Sequence, residues 1–145
     1  MIKQFQGEYR WLSNFVPCNV VLDGIAYQSV EHAYQSAKSE LAEWKKFCAS
    51  PDTYSAYVKK ASRKIKPVDN WDTVKVEVMT DLLLQKFSQE PYKQKLLDTG
   101  DLHIQEGNTW GDTFWGVDLR TGKGQNILGK MIMEIRSKLT KKDKL

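Results

Sequence analysis

The chain has 145 residues, 41% of them hydrophobic, with 22 Lys and Arg against 18 Asp and Glu. That is enough apolar material for one compact core, yet no window approaches the apolar run of a membrane span and MIKQFQGEYRW lacks a signal core, so a soluble cytoplasmic protein is expected. The +4 net charge is local: RSKLTKKDKL at the end holds five basic residues and one acidic, leaving 17 of each sign in residues 1–135, which argues against a general nucleic-acid binder and leaves the basic end as a salt-sensitive attractor of phosphate.

NVVLDGIAY, residues 19–27, forms two β-rich segments around Asp23-Gly24, the dipeptide favoured in type I′ hairpin turns. The spacing then predicts a helix opening near Ser29, whose hydroxyl is an N-cap acceptor, with Val30, Ala33, Tyr34, Ala37 and Leu41 as its apolar stripe. ELAEWKKFCAS predicts a second short helix broken at Pro51-Asp52, and TYSAYVKKASRKIK a third whose basic end suits a helix C-terminus. The longest helix is expected from Asp69 or Asn70 to about Phe87, burying Trp71, Val74, Val78, Met79, Leu82 and Leu83. Pro91 suits the first turn of a short helix closing at Gly100. Residues 101–124 lose the helical period: with Gly100 just before them they account for six of the nine glycines, and they carry Trp110 and Trp115. An irregular stretch of that length is a functional signal. A final helix from about Gln125, capped by Gln125 or Asn126, presents Leu128, Met131, Ile132, Ile135 and Leu139. The pattern reads as α+β, a single compact helix-rich domain with a small β-hairpin over residues 1–136, followed by a basic C-terminal tail, 137–145.

Chemistry-bearing residues sit beside these stripes. Glu31, Gln35 and Lys38 fall at i, i+4 and i+7 on the first helix, about 100° from the middle of its apolar stripe, at the flank where core meets water. The rise from Glu31 to Lys38 is about 10 Å, too long for a helical ion pair, so a ligand fits between them. Taken alone, the row also reads as solvated residues at a helix edge. His32 points away from Glu31 and reads as a polar support, and His103 as a loop residue. The glycine-rich stretch sets Glu106, Asp112, Trp110 and Trp115 where backbone can approach a ligand closely. TGKGQN, residues 121–126, precedes a helix N-terminus, whose N–H groups attract phosphate, without matching a Walker A or dinucleotide fingerprint. KKASRKIK, residues 59–66, holds five basic side chains. Most of it reads as a solvated helix end, with Arg63 the exception because a guanidinium fork suits phosphate. The histidines are far apart and neither Cys18 nor Cys48 has zinc-site spacing, so no metal and no cofactor are expected.

LSNF at 12–15, the hairpin, EHAYQSAK at 31–38, Trp71 opening a long helix, and DTFWG followed by GKGQNILG together resemble the NADAR family, also called YbiA-like, in order from about Phe5 to Arg136. The resemblance implies a helix-rich α+β fold and N-glycosidase activity on ribose-linked amines. It implies as substrates phosphoribosylamino-pyrimidine intermediates of riboflavin synthesis or ADP-ribose attached to guanine, the latter including ADP-ribosylated nucleic acid. Carried over by position, it implies Glu31, Lys38, Trp71 and Asp112 as catalytic residues. It likewise implies that Ser13, Asn14 and Phe15 of LSNF line the pocket and that Arg63 takes a basic position suited to phosphate. The glycine-rich segment and the helix start after it add Glu106, Trp115, Gly116 and Asn126 as substrate-binding candidates. The chain departs from the family pattern at Ala33 and Ser39, where the family has aromatics, and at Asp118, where it has glycine; these changes bear on the substrate. The competing reading is a non-catalytic module for ADP-ribose or NAD-type nucleotides, which has no need of the pair Glu31 and Lys38.

Overall fold

The structure is a computed structural model that describes residues 1–143. The architecture is α+β and divides into two compact units, Asn14–Lys86 and, separately, Met1–Ser13 with the chain from Phe87 onward.

In the first unit, β1 (Val20–Leu22) and β2 (Ile25–Tyr27) pair antiparallel with Leu22 opposite Ile25. Asp23 and Gly24 have φ of 50° and 79°, the two positive values a type I′ turn requires. Four helices follow: α1 (Val30–Ser36), α2 (Ala42–Ala49), α3 (Ser55–Ser62) and α4 (Trp71–Phe87), with α1 packed against the hairpin, α2 and α3. The Ser29 hydroxyl accepts the His32 N–H at 3.1 Å, which satisfies one of the donors a helix start leaves open.

The first helix is shorter than its periodicity predicts. It stops at Ser36, and Leu41, assigned to its apolar stripe, is 67% exposed at the start of α2. The cause lies in α2: the Trp44 indole N–H donates to the Gln35 carbonyl at 2.8 Å and Lys45 Nζ to the Ser36 carbonyl at 3.2 Å. Side chains of the next helix thus take the carbonyls that a continued helix would have used. Helix α4 starts where expected. Asn70 sits in the left-handed region at φ 62°, and its carbonyl accepts the first-turn N–H groups of Thr73 and Val74 at 3.0 Å each. Met79, Leu82 and Leu83 are buried, each fully buried leucine contributing about 1.5–3 kcal/mol, while Trp71, Val74 and Val78 are half-buried.

The second unit holds a 3₁₀ turn (Gly7–Leu12), α5 (Tyr92–Asp98), β3 (Gly107–Asn108), β4 (Val117–Asp118) and α6 (Ile127–Asp143). The short parallel pair β3 and β4 lies inside the glycine-rich segment that reads as irregular in sequence. Helix α6 buries Leu128, Ile132, Ile135 and Leu139. Its buried Arg136 donates to Thr99 Oγ1 at 2.9 Å and the Leu102 carbonyl at 2.8 Å, fastening α6 to the segment that follows α5. Residues 137–143, read as a tail, are therefore helical and contribute Leu139 to the interior; Lys144 and Leu145 lie outside the described residues. Among the described residues no helix is long and apolar enough to cross a membrane.

Candidate active site

Every residue of α1 is buried, including the row expected at its solvated flank. Glu31 is 6% exposed and Gln35 7%, because α2 and α3 both pack on this helix. The Gln35 amide donates to Glu31 Oε1 at 2.8 Å, the i, i+4 relation of adjacent turns. Burial pushes the Glu31 carboxyl above its ordinary range, opposed by the Gln35 hydrogen bond and then by the charges of Lys59 and Lys38. The Glu31 backbone N–H is capped by the Asn14 carbonyl at 3.0 Å, so the LSNF segment closes the start of the helix that carries the carboxylate.

Lys38 lies beyond α1, in the turn closing it, and not on the helical face that i, i+7 spacing implies. Its Nζ donates to the Ser62 carbonyl at 3.0 Å, and its own carbonyl accepts the Val68 N–H at 2.8 Å. The lysine is thus tied to both ends of the segment joining α3 to α4. Burial lowers its pKa, and the charge of Glu31, acting the other way, does not reverse this.

Sequence reasoning missed Lys59. Its Nζ lies 5.6 Å from the centroid of the Phe15 ring and its charge acts on Glu31 ahead of that of Lys38. The signal was present: α3 buries Val58 and Ser62, and Lys59 stands at i, i+3 with Ser62 on the flank of that face, but a run of five basic residues hid it. The expected phosphate ligand, Arg63, is exposed at the C-cap of α3. Trp71 places its ring 5.4 Å from that of Tyr34, tilted by 44°, at the end of α1 opposite the cap.

Two further observations concern the LSNF segment. Asn14 Oδ1 is buried without a hydrogen-bond partner, although Nδ2 reaches Met79 Sδ at 3.6 Å. A buried acceptor left open costs stability unless a ligand supplies the donor. His32, read as a polar support, is 2% exposed: Ser29 Oγ lies 2.6 Å from Nδ1 and the Thr53 carbonyl 2.5 Å from Nε2. The carbonyl can only accept, so Nε2 carries a proton. Ser55 in turn donates to the Phe15 carbonyl at 3.0 Å. His32, Ser55 and Asn14 together bind Asn14-Phe15, α1 and the start of α3 into one frame.

The remaining candidates belong to the other unit, where their hydrogen bonds shape a loop. Asp112 Oδ1 accepts the N–H groups of Phe114 at 3.0 Å and Trp115 at 2.9 Å, a side-chain turn. Asn108 brackets the same residue, accepting the Asp112 N–H at 3.0 Å and donating to its carbonyl at 2.9 Å, while also donating to Glu106 Oε2 at 3.1 Å. A Cβ at Gly116 would stand 1.8 Å from Glu106 Oε2 and 2.0 Å from the Glu106 carbonyl, so only glycine fits there. Asn126 accepts the Glu106 N–H at 2.9 Å and donates to the Ile104 carbonyl at 3.0 Å. Asp118, where the family pattern has glycine, is buried and accepts the Arg120 N–H at 2.9 Å. Trp115 is half-buried with its ring edge-on to Phe114, and Ser13 ends the 3₁₀ turn by donating to the Arg10 carbonyl at 2.9 Å.

A family model described as the NADAR domain matches residues 2–140. The chain belongs to the NADAR domain family. Among its relatives, the N-glycosidase YbiA of Shigella boydii is 31% identical over 134 residues, 91% of this chain and 82% of that protein. N-glycosidase Npun_R5314 of Nostoc punctiforme is 30% identical over 138 residues, 90% of this chain and 86% of that one. Riboflavin biosynthesis protein VVA0006 of Vibrio vulnificus is 34% identical over 133 residues, but the NADAR chain spans only 35% of its length. The NMR structure of YbiA from E. coli superimposes with a TM-score of 0.82 at 27% identity, covering 99% of this chain and 89% of that one.

Proposed function

We propose that this NADAR-family N-glycosidase hydrolyses the C1–N bond of ribosylamines whose glycosidic nitrogen bears a hydrogen, with Glu31 and Lys38 at the reacting centre. The observation that carries this reading is a buried carboxylate held at one oxygen by Gln35 and subject to the charges of two lysines, one of them partly desolvated and anchored on a backbone carbonyl. A binding module has no use for so costly a group, whereas bond cleavage with charge developing at C1 has. The open Asn14 acceptor supplies a place for a ribose hydroxyl or an amine N–H.

The nitrogen lone pair pushes toward C1, the ring opens to an imine, and the N–H proton passes to the ring oxygen. Neutral Lys38 adds through Nζ to C1; a proton moves from Nζ to the departing nitrogen, and the amine leaves. Water then adds to the lysine Schiff base and releases the sugar aldehyde, returning Lys38 to its starting state. Glu31 carries protons at each stage. Lys38 suits the role because burial favours its neutral form while the Ser62 carbonyl fixes its position.

Phosphoribosylamino-pyrimidines and ADP-ribosylguanine both meet the N–H requirement. The name of the Vibrio relative favours the first; the Arg63 guanidinium at the C-cap of α3 suits the phosphates of either. Two buried thiols, Cys18 and Cys48, fit a reducing cytoplasm. Hydrolysis assays with a phosphoribosylamine, an ADP-ribosylated guanine oligonucleotide and NAD, whose glycosidic nitrogen lacks hydrogen, test the reading. Turnover of either of the first two with NAD spared is expected, and cleavage of NAD at a comparable rate counts against it.

A further inference from the structure

Gln35 bonds both residues placed at the reacting centre, and does so through different atoms. Its side-chain amide donates to Glu31 Oε1 at 2.8 Å, one turn back along α1. Among the described residues no donor bonds the other oxygen, and Asn14 Oδ1 is the one side-chain oxygen buried without a partner, so Glu31 Oε2 opens on accessible space. The Gln35 backbone carbonyl accepts two N–H groups, that of Lys38 at 3.1 Å and the Trp44 indole at 2.8 Å. A carbonyl has two lone pairs, and in a continued helix this one would take the N–H of Ser39, four residues on. Trp44 stands in that place. It is a fixed donor, 7% exposed, with its ring stacked on Phe47 at 5.5 Å between centroids. Lys38 therefore leaves the helical path in the turn closing α1, from where Nζ reaches the Ser62 carbonyl at 3.0 Å.

We propose that Gln35 is the positioning residue of the reaction, setting Glu31 through its amide and Lys38 through its carbonyl, with Trp44 of α2 fixing that carbonyl. The proposal rests on the glycosidase reading and deepens it. The amide commits Oε1 to the frame and leaves Oε2 as the oxygen that takes and returns protons. The carbonyl decides where the main chain turns at Lys38, and so where Nζ stands when it adds to C1. Orienting both groups before substrate arrives acts on the chemical step, because a misplacement of about 1 Å can cost about 10²-fold in rate. Binding of the sugar does not depend on it, so the effect belongs in kcat and not in KM.

Two substitutions in the full chain test it. Gln35→Met keeps the carbonyl and an unbranched side chain but deletes the amide; Trp44→Phe keeps a ring against Phe47 but deletes the indole N–H. On a phosphoribosylamine, Gln35→Met should lower kcat about tenfold or more with KM within about twofold, and should cost nothing further beside Glu31→Gln. Trp44→Phe should lower kcat about fivefold or more. Two readouts need no turnover. Burial raises the Glu31 pKa and the Gln35 bond opposes it, so a carbon-13 NMR titration of the Glu31 carboxyl should move to higher pH in Gln35→Met and stay in place in Trp44→Phe. Labelling of Lys38 by formaldehyde and cyanoborohydride, read by peptide mass over a pH series, should move in Trp44→Phe toward the ordinary lysine value of 10.5. Should Gln35→Met not fold, Gln35→Asn, which keeps the amide but withdraws it by one methylene, takes its place with the same expectations. The proposal is overturned if the Gln35 variant titrates and turns over as wild type, if its loss recurs in full beside Glu31→Gln, or if Trp44→Phe changes neither kcat nor Lys38 labelling. Shifted titrations in a protein that hydrolyses no ribosylamine would overturn the glycosidase reading and leave Gln35 as the group that sets Glu31 and Lys38.

Discussion

The Gln35 amide holds Glu31 Oε1 at 2.8 Å inside a helix with no exposed residue, and this hydrogen bond does not offset what burial costs the carboxylate. Glu31→Gln imitates the protonated form the interior prefers. It should fold, and lose about 10² or more in kcat. It should also melt higher than wild type at neutral pH. Because the folded pKa is raised, ionisation of Glu31 is penalised in the folded state. The penalty is absent below the ordinary value of 4.5, grows as pH rises from there to the folded pKa, and is full above it. The gap in Tm should therefore close as pH falls toward that value. Calorimetry over a pH series checks it; equal Tm at neutral pH would show that Glu31 is not strained by burial.

Lys59 opposes that penalty. Lys59→Met removes the larger of the two lysine charges that lower the Glu31 pKa, so the carboxyl should rise further and the acid limb of the kcat/KM profile should move to higher pH. Turnover lost near neutrality should return at more alkaline pH. Lys60→Met, one residue along and on the outer face of α3, should leave the limb in place. If both profiles match wild type, Lys59 does not act on Glu31.

The difference between what was legible and what was not follows from range. Ser29 as a cap, Asp23-Gly24 as a turn and the stripe of α6 are decided by residues within a few positions of one another, and all three stand in the structure. The early end of α1 is decided by Trp44 and Lys45, whose hydrogen bonds to Gln35 and Ser36 carbonyls belong to packing and not to period. The burial of Glu31 and Gln35 likewise depends on α2 and α3 closing over a polar flank, which no helical wheel records. Asp112 shows the reverse. Its carboxylate bonds the N–H groups two and three residues ahead, a local pattern typical of aspartate in turns and legible from the sequence alone.

Asn14 offers a test that separates binding from folding. Its Oδ1 is buried with no partner, so Asn14→Leu removes an unsatisfied acceptor and should leave Tm equal or higher. If that acceptor takes a hydrogen bond from substrate, as proposed, the same change deletes it, and kcat/KM should fall about tenfold, chiefly through KM. A variant that melts early and binds normally would assign Asn14 to the fold instead.

Lys38 decides between the covalent route and direct attack by water. Its Nζ is anchored at 3.0 Å on the Ser62 carbonyl and its pKa is lowered by burial against the pull of Glu31. A neutral amine in a fixed position is what attack on C1 requires. Lys38→Arg keeps a donor for Ser62 but is permanently charged and cannot form an imine, so it should be as inactive as Lys38→Ala. Loss of the depressed lysine should also remove a limb from the pH–rate profile that the Glu31 variant's residual activity keeps. Borohydride added during turnover should reduce the Schiff base, inactivate the protein, and leave the sugar on the peptide containing Lys38, read by its mass. Should Lys38→Arg turn over substrate at more than a few per cent of the wild-type rate, or should no adduct form while substrate is consumed, C1 is attacked by water and Lys38 serves as a charge beside Glu31.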